Sequence, residues 1–150
     1  WGRPDMAMWL FSDAILHGRP IKLFNNGRMR RDFTFIDDVV EAVVRLVPRP
    51  SSPNRAWSGE APDPATSRAP WHIYNIGNSS PIEVLEVVRL IEQAVGRTAT
   101  AEFLPMQPGD VLETYADVAD LEQAVGFRPS TPIAEGIKRF VEWFRRFAKM

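Results

Sequence analysis

The stretch from Trp71 to Gly96 constrains the fold most. Trp71-His72-Ile73-Tyr74-Asn75-Ile76 predicts a strand ending at Gly77, and a helix follows at once. Ser80 and Glu83 form a capping box, with Pro81 at the first helical position. Leu85, Val88, Ile91 and Val95 then carry an apolar stripe to a terminating Gly96. Such a stripe has to be buried, and the composition supplies the means. The chain has 150 residues, 45% hydrophobic and 25% charged, which is the balance of one soluble globular domain that buries roughly two-thirds of its unfolded surface around a single core.

The remaining segments follow the same local rules. Asp5 to about Leu16 predicts a helix capped by Asp5 and ended by Gly18 and Pro20, with Met6, Trp9 and Leu10 on its apolar side. Ile21 to Phe24 predicts a strand that stops at Asn25-Asn26-Gly27, a turn sequence tolerant of positive φ. Asp32-Phe33-Thr34-Phe35 is the expected partner strand. Asp37 is expected to cap a helix whose Val39, Val40, Val43, Val44 and Leu46 recur at helical steps until Pro48, with half of that surface buried.

Six prolines (48, 50, 53, 62, 64 and 70) then fall among small and polar residues, so 48–70 predicts a long, flexible surface loop with Trp57 either its anchor or an isolated exposed ring. Ala101 to Leu104 predicts a short strand, and Asp117 a helix cap before Gly126. Thr131-Pro132 starts a terminal helix with Ile133, Ile137, Phe140, Val141, Phe144 and Phe147 on one face. Glu-Gln-Ala-Val-Gly occurs at 92–96 and 122–126, where it reads as two helix ends finished by a left-handed glycine.

Charge and composition narrow the function. Eighteen Lys plus Arg against nineteen Asp plus Glu give a net charge of −1, so no global field favours nucleic acid or an anionic membrane. Any anion site is local. The absence of cysteine excludes a thiolate nucleophile, a disulfide and cysteine-ligated zinc, and two lone histidines make a poor metal cluster. No apolar run reaches the roughly 18 residues of a membrane span, and Trp1 to Asp5 lack a signal-peptide pattern. A cytoplasmic protein is the expectation.

Several residue groups admit a chemical role beside an ordinary one. Arg28, Arg30 and Arg31 follow the Asn-Asn-Gly turn, and guanidinium forks suit phosphate or carboxylate oxygens. A solvated basic turn balanced by Asp32, Asp37 and Asp38 accounts for the same spacing. Arg3 precedes a helix start, where free amides and the dipole favour an anion, yet an Arg3–Asp5 surface pair fits as well. Gln107-Pro108-Gly109-Asp110 either grips a ligand or simply turns the chain. His17 is expected to complement a helix dipole and His72 to be a core histidine.

Taken in order, WGRPDMA, IKLFNNGRMRRDFTFIDDVVEAVVRL, IYNIGNSSPIEVLEVVRLIEQAVG and LPMQPGDVLETYADV resemble the carboxy-terminal substrate-binding part of extended short-chain dehydrogenase/reductases. The resemblance covers essentially all 150 residues, and WGRPDMA and MQPGD are most similar to the UDP-glucuronate 4-epimerase branch. It implies a small mixed α/β substrate-binding domain over residues 1–150, without the family's Rossmann half. The glycine-rich dinucleotide loop is missing, since neighbouring glycines are at least nine residues apart, and so is the Tyr-x-x-x-Lys pair. The chain is therefore expected to begin inside a longer parent, to hold no catalytic or metal-binding residue of its own, and to bind no NAD alone.

The resemblance further implies the site. Arg3 would face a sugar carboxylate, Arg31 the UDP diphosphate, Asp110 a ribose hydroxyl, and Phe24 the uracil. Gln107 stands where several UDP-galactose 4-epimerases carry an arginine, which fits the hexuronate branch and leaves the second diphosphate contact unassigned. The implied ligand is UDP-glucuronate or UDP-galacturonate. The complete enzyme would remove and return a hydride at sugar carbon 4 through a 4-keto intermediate, with NAD as cofactor. A dehydratase or decarboxylase of the same family, or a non-catalytic UDP-sugar module, would use the same scaffold. An uncovered apolar surface predicts a homo-oligomer.

Overall fold

The computed structural model describes residues 5–148, which form two compact units. The first comprises residues up to Phe33, Ser80–Thr114 and the segment from Thr131 onward; the second comprises Thr34–Ser79 and Tyr115–Ser130. Both mix helices with short extended segments, so the expected α/β class holds.

In the first unit, helix α1 (Ala7–Leu16) leads through Gly18, at φ +67°, into strand β1 (Ile21–Leu23). Strand β2 (Arg30–Arg31) and strand β3 (Ile82–Glu83) precede helix α3 (Val84–Val95), which is followed by strand β4 (Ala101–Phe103) and the terminal helix α5 (Ile133–Phe147). Helices α2 (Ile36–Leu46) and α4 (Ala119–Val125) belong to the second unit. The core lies where α1 and α5 flank α3: Phe11, Ile15, Ile21, Leu23, Val87, Ile91, Ile137 and Val141 are all buried. At about 25 cal/mol per Å² of apolar surface removed from water, this cluster is the unit's main source of stability. Trp9 of α1 meets the α5 rings edge-on, 4.8 Å from Phe144 and 6.1 Å from Trp143.

Two sequence expectations change here. β1 does not pair with Asp32–Phe35, which forms no strand. It runs parallel to β4, Ile21 opposite Ala101, while β2 pairs antiparallel with β3. Residues with two or three ladder positions carry too little periodicity to announce a partner, and parallel pairing joins segments distant in sequence. The capping box at Ser80 is also not formed. Pro81 to Glu83 stay extended, Ile82–Glu83 join β2, and the helix begins three residues later with Glu83 at the cap position. Ser80 N–H instead donates to Asp32 Oδ1 at 3.3 Å. Asp5 does not cap α1 either, since Met6 occupies that position.

In the second unit, α2 (Ile36–Leu46) packs on α4 (Ala119–Val125) around Ala42, Leu121 and Val125. Phe35, not Asp37, is the cap residue of α2. Asp37 lies in the first turn, where its charge complements the helix dipole, and Asp38 Oδ2 accepts from Ser130 N–H at 3.1 Å. Asp117 Oδ1 accepts from Ala119 N–H at 3.0 Å, so the expected capping aspartate of α4 acts from just outside the helix. Both pentapeptide copies end on left-handed glycines, Gly96 at φ +76° and Gly126 at +62°. The valine-rich face of α2 is buried less than expected, with Val40, Val43 and Val44 each about half exposed.

The 48–70 segment has neither helix nor strand but is tied internally. Trp57 Nε1 donates to the Asp63 carbonyl, the Thr66 hydroxyl donates to Asp63 Oδ2, Asn54 Nδ2 donates to Thr66 Oγ1, and Arg68 lies over the Trp57 ring. Trp57 is thus the anchor of the two alternatives. Trp71–Ile76 is extended with a single bridge, His72 to Thr66, rather than a full strand. His72 stacks on Tyr74, and its Nε2 lies 3.7 Å from Asp120.

Candidate functional site

The site is assembled in the first unit by the turn that follows β1. Asn25 and Asn26 take left-handed φ values of 49° and 52° and Gly27 takes +76°, which reverses the chain within four residues. Asn26 N–H donates to the Leu104 carbonyl, fastening the turn beside the end of β4. The chain then enters β2, where successive side chains point to opposite faces. Arg30 turns one way, Nη1 to Glu113 Oε2 at 2.8 Å and Nη2 to the Pro81 carbonyl at 3.0 Å. Arg31 turns the other way, into a cavity.

Residues 112–114 run alongside β2. Arg30 N–H donates to the Leu112 carbonyl at 2.8 Å and Thr114 N–H to the Arg30 carbonyl at 3.2 Å. That contact delivers the preceding Gln107–Asp110 loop to Arg31, across 79 positions of sequence. Gly109 at φ +86° lets the loop turn, and Asp110 N–H closes it onto the Gln107 carbonyl. Arg31 Nη2 reaches Asp110 Oδ1 at 3.3 Å, while Nη1 donates to the Arg30 carbonyl at 2.9 Å. The guanidinium is therefore oriented before any ligand arrives.

Arg31, Asp110 and Phe24 line one cavity of about 710 Å³, with Leu10, Phe11 and Val84 among its apolar walls. That volume lies within the range of small-molecule sites, which combine apolar walls with a few placed polar groups. Three of the residues singled out in the sequence thus share a site. Gln107 is exposed and does not line the cavity, and Arg3 lies outside the described residues. Of the three clustered arginines, only Arg31 lines the cavity. Sequence reasoning missed Asp13, Arg19 and Lys22, which also line it and where Arg19 pairs with Asp13. The basic Arg19-Pro-Ile-Lys22 run across the start of β1 was the signal for the two cations.

Among the described residues no helix opens directly on a glycine-rich turn. A helix that binds a pyrophosphate in a dinucleotide fold opens directly after a glycine-rich turn, whereas Met6, Phe35, Glu83, Val118 and Pro132 precede the five α-helices of the described residues. Gly18, Gly96 and Gly126 follow helices instead. Among the described residues, no helix is long and apolar enough to cross a membrane.

Comparison with known proteins agrees with this architecture. The family model "NAD dependent epimerase/dehydratase family" matches residues 2–77. The chain is 49% identical over 149 residues to Protein CapI of Staphylococcus aureus, covering 99% of this chain and 45% of that protein. It is 50% identical over 146 residues to the probable UDP-glucuronate 4-epimerase of Rhizobium meliloti (strain 1021), covering 96% and 42%. The solved structure of MoeE5 in complex with UDP-glucuronic acid and NAD superposes with a TM-score of 0.75 at 30% identity, over 97% of this chain and 43% of that one. The chain spans less than half the length of these relatives. A match across half of the sequence, together with the shared mixed α/β fold, establishes that this chain belongs to the NAD dependent epimerase/dehydratase family.

Proposed function

We propose that the Arg31–Asp110 cavity is the grip for a UDP-sugar, and that the protein of which these residues form a part is an NAD-dependent UDP-glucuronate 4-epimerase. The observation that carries this reading is the pairing of an oriented guanidinium with a carboxylate in one partly apolar cavity that also includes Phe24. A planar guanidinium suits two phosphate oxygens at once. A carboxylate beside it suits the neighbouring ribose hydroxyls, and an aromatic wall suits the uracil. The relative from Rhizobium meliloti and the UDP-glucuronic acid complex of MoeE5 support the choice of sugar nucleotide.

In this reading Arg3 faces the hexuronate carboxylate. That carboxylate is bonded to carbon 5 and so lies β to the 4-keto group of the intermediate, an arrangement prone to loss of carbon dioxide that its fixed orientation would guard against. The chain's own residues do not fit a dinucleotide, and their task is to bind and orient the nucleotide end while the sugar remains free to turn. Gln107 is left without a diphosphate contact.

Calorimetric titration of UDP and UDP-glucuronate into the chain tests the reading. Saturable binding of both, weakened at least tenfold by Arg31→Ala, is expected, because a charge-assisted contact is worth about 1.5–3 kcal/mol. Equal affinity of parent and variant for UDP rejects the site.

A further inference from the structure

The terminal helix carries more apolar surface than its core contacts use. In α5 the buried stripe is Ile137, Val141 and Phe144. Beside it, at steps of three and four, run Phe140, Trp143 and Phe147. Trp143 and Phe147 stack on each other at 5.1 Å, and Trp9 of α1 meets both rings edge-on. Phe140 and Trp143 are only half-buried and Phe147 is 51% exposed, against 2% for Phe144, so the outer side of this aromatic ridge meets solvent.

Cations border the ridge. Arg139 and Arg146 lie one turn before and one turn after Trp143, on the flank of the helix next to the rings, and both are exposed. Arg139 Nη1 is 3.9 Å from Glu135 Oε1, an exposed pair that another anion replaces at little cost. Arg145 turns toward α3 instead, its Nη2 donating to the Val95 carbonyl at 2.6 Å. Over its length α5 carries four cationic side chains and two carboxylates, a net charge of +2 in a chain whose total is −1.

We infer that this ridge is a docking surface for an anionic lipid bilayer, with the rings entering the interface and Arg139 and Arg146 meeting lipid phosphates. Aromatic rings flanked by basic side chains are the composition of helices that lie in a membrane surface. A chain without a global field has to supply such attraction locally. The same charge disfavours a second copy as the occupant, because a two-fold contact sets the cations of one copy against those of the other. It fits a nucleic acid less well, because Trp9, Trp143 and Phe147 spend ring faces and edges on one another rather than presenting a stacking platform. None of these side chains lines the Arg31–Asp110 cavity, so the inference stands apart from the nucleotide-sugar reading.

The test is co-sedimentation of the 150-residue chain with vesicles of phosphatidylcholine alone and of an equal mixture of phosphatidylcholine and phosphatidylglycerol. The chain is expected to bind the mixed vesicles at least tenfold more tightly than the neutral ones, with affinity falling as salt is raised. Arg139→Gln with Arg146→Gln is expected to weaken that binding roughly twentyfold, about fivefold for each basic residue near an anionic surface, and Phe147→Ala to weaken it several-fold. Thermal melts confirm that each variant is folded. Arg146→Glu, with a similar expected loss, serves as the replacement should the double variant melt without a cooperative transition. Val40→Glu with Val43→Glu is expected to bind as the parent does. Equal binding to neutral and anionic vesicles, or arginine variants that bind like the parent, overturns the inference. Loss of binding in the Val40 and Val43 variant also overturns it, by assigning the contact to α2, as does binding to heparin that matches the vesicle affinity and is indifferent to Phe147→Ala.

Discussion

Gly27 and Leu85 approach so closely that a Cβ atom built on Gly27 would stand 2.7 Å from Leu85 Cγ. Gly27 also has φ +76°, so any side chain there meets both a backbone strain and a collision. Gly18, at φ +67°, has nothing within 4 Å of its missing Cβ and isolates the strain alone. Gly27→Ala is expected to destabilise the chain by about 2–4 kcal/mol and Gly18→Ala by about 1 kcal/mol. Equilibrium urea unfolding measures both, and equal effects would show that Leu85 moves aside freely.

The packing of α3 against its neighbours sets a second expectation. Ile91 and Ile137 are almost wholly buried, whereas Phe147 at the end of α5 is half exposed. Ile91→Ala and Ile137→Ala are each expected to cost about 2–5 kcal/mol through lost burial and a residual cavity. Phe147→Ala is expected to cost about 1 kcal/mol or less, although it is the largest side chain of the three. Unfolding midpoints that rank Phe147→Ala as the most harmful would contradict this placement of the core.

Acid is expected to loosen the 48–70 segment. The Thr66 hydroxyl bonded to Asp63, and after it the Ala65 N–H, hold the Asp63 carboxyl below its ordinary value of 3.8, and His72 adds a smaller effect in the same direction. A carboxyl lowered by folding contributes stability that is complete above the unfolded value and disappears as pH falls through the folded one. Parent and Asp63→Asn should therefore differ by a constant amount in urea midpoint from pH 7 to about pH 5. The difference should shrink as pH falls below the ordinary carboxyl value and level off only once it has passed the lowered, folded one. A difference that instead grows on acidification would rule out the bonded carboxylate as its source.

Replacing Arg3 by Ala in the complete enzyme is expected to raise the KM for UDP-glucuronate far more than for UDP-glucose, by tenfold or more, because only the former has a carboxylate for the guanidinium to hold. Steady-state kinetics with both substrates decides the matter. Equal changes for the two would remove Arg3 from the sugar-facing role.

Ile36, Val40, Val43 and Val47 form an exposed stripe along α2 and its C-cap, at helical steps of four, three and four. Contiguous apolar surface of this kind promotes association. The isolated chain is expected to self-associate in light scattering, and Val40→Glu with Val43→Glu to reduce its mass toward that of one chain. A monomer at high concentration in the unaltered chain would count against the stripe as an interface.

What was legible in the sequence was local. The turn at Asn25-Asn26-Gly27, the glycine ends at Gly96 and Gly126, and the apolar faces of α3 and α5 all depend on a few neighbouring residues, whose φ preferences and helical spacing are written in the sequence itself. The motif resemblance likewise named Arg31, Asp110 and Phe24. What the tertiary structure decided was non-local. The parallel partner of β1, the sorting of Arg30 toward Glu113 and Arg31 toward the cavity, and the bond between Arg31 and Asp110 each join segments far apart in the chain. Strands of two or three residues carry no periodic signature of their own. Which segments meet is set by burying α3 between α1 and α5, and that condition belongs to the whole unit rather than to any stretch of it.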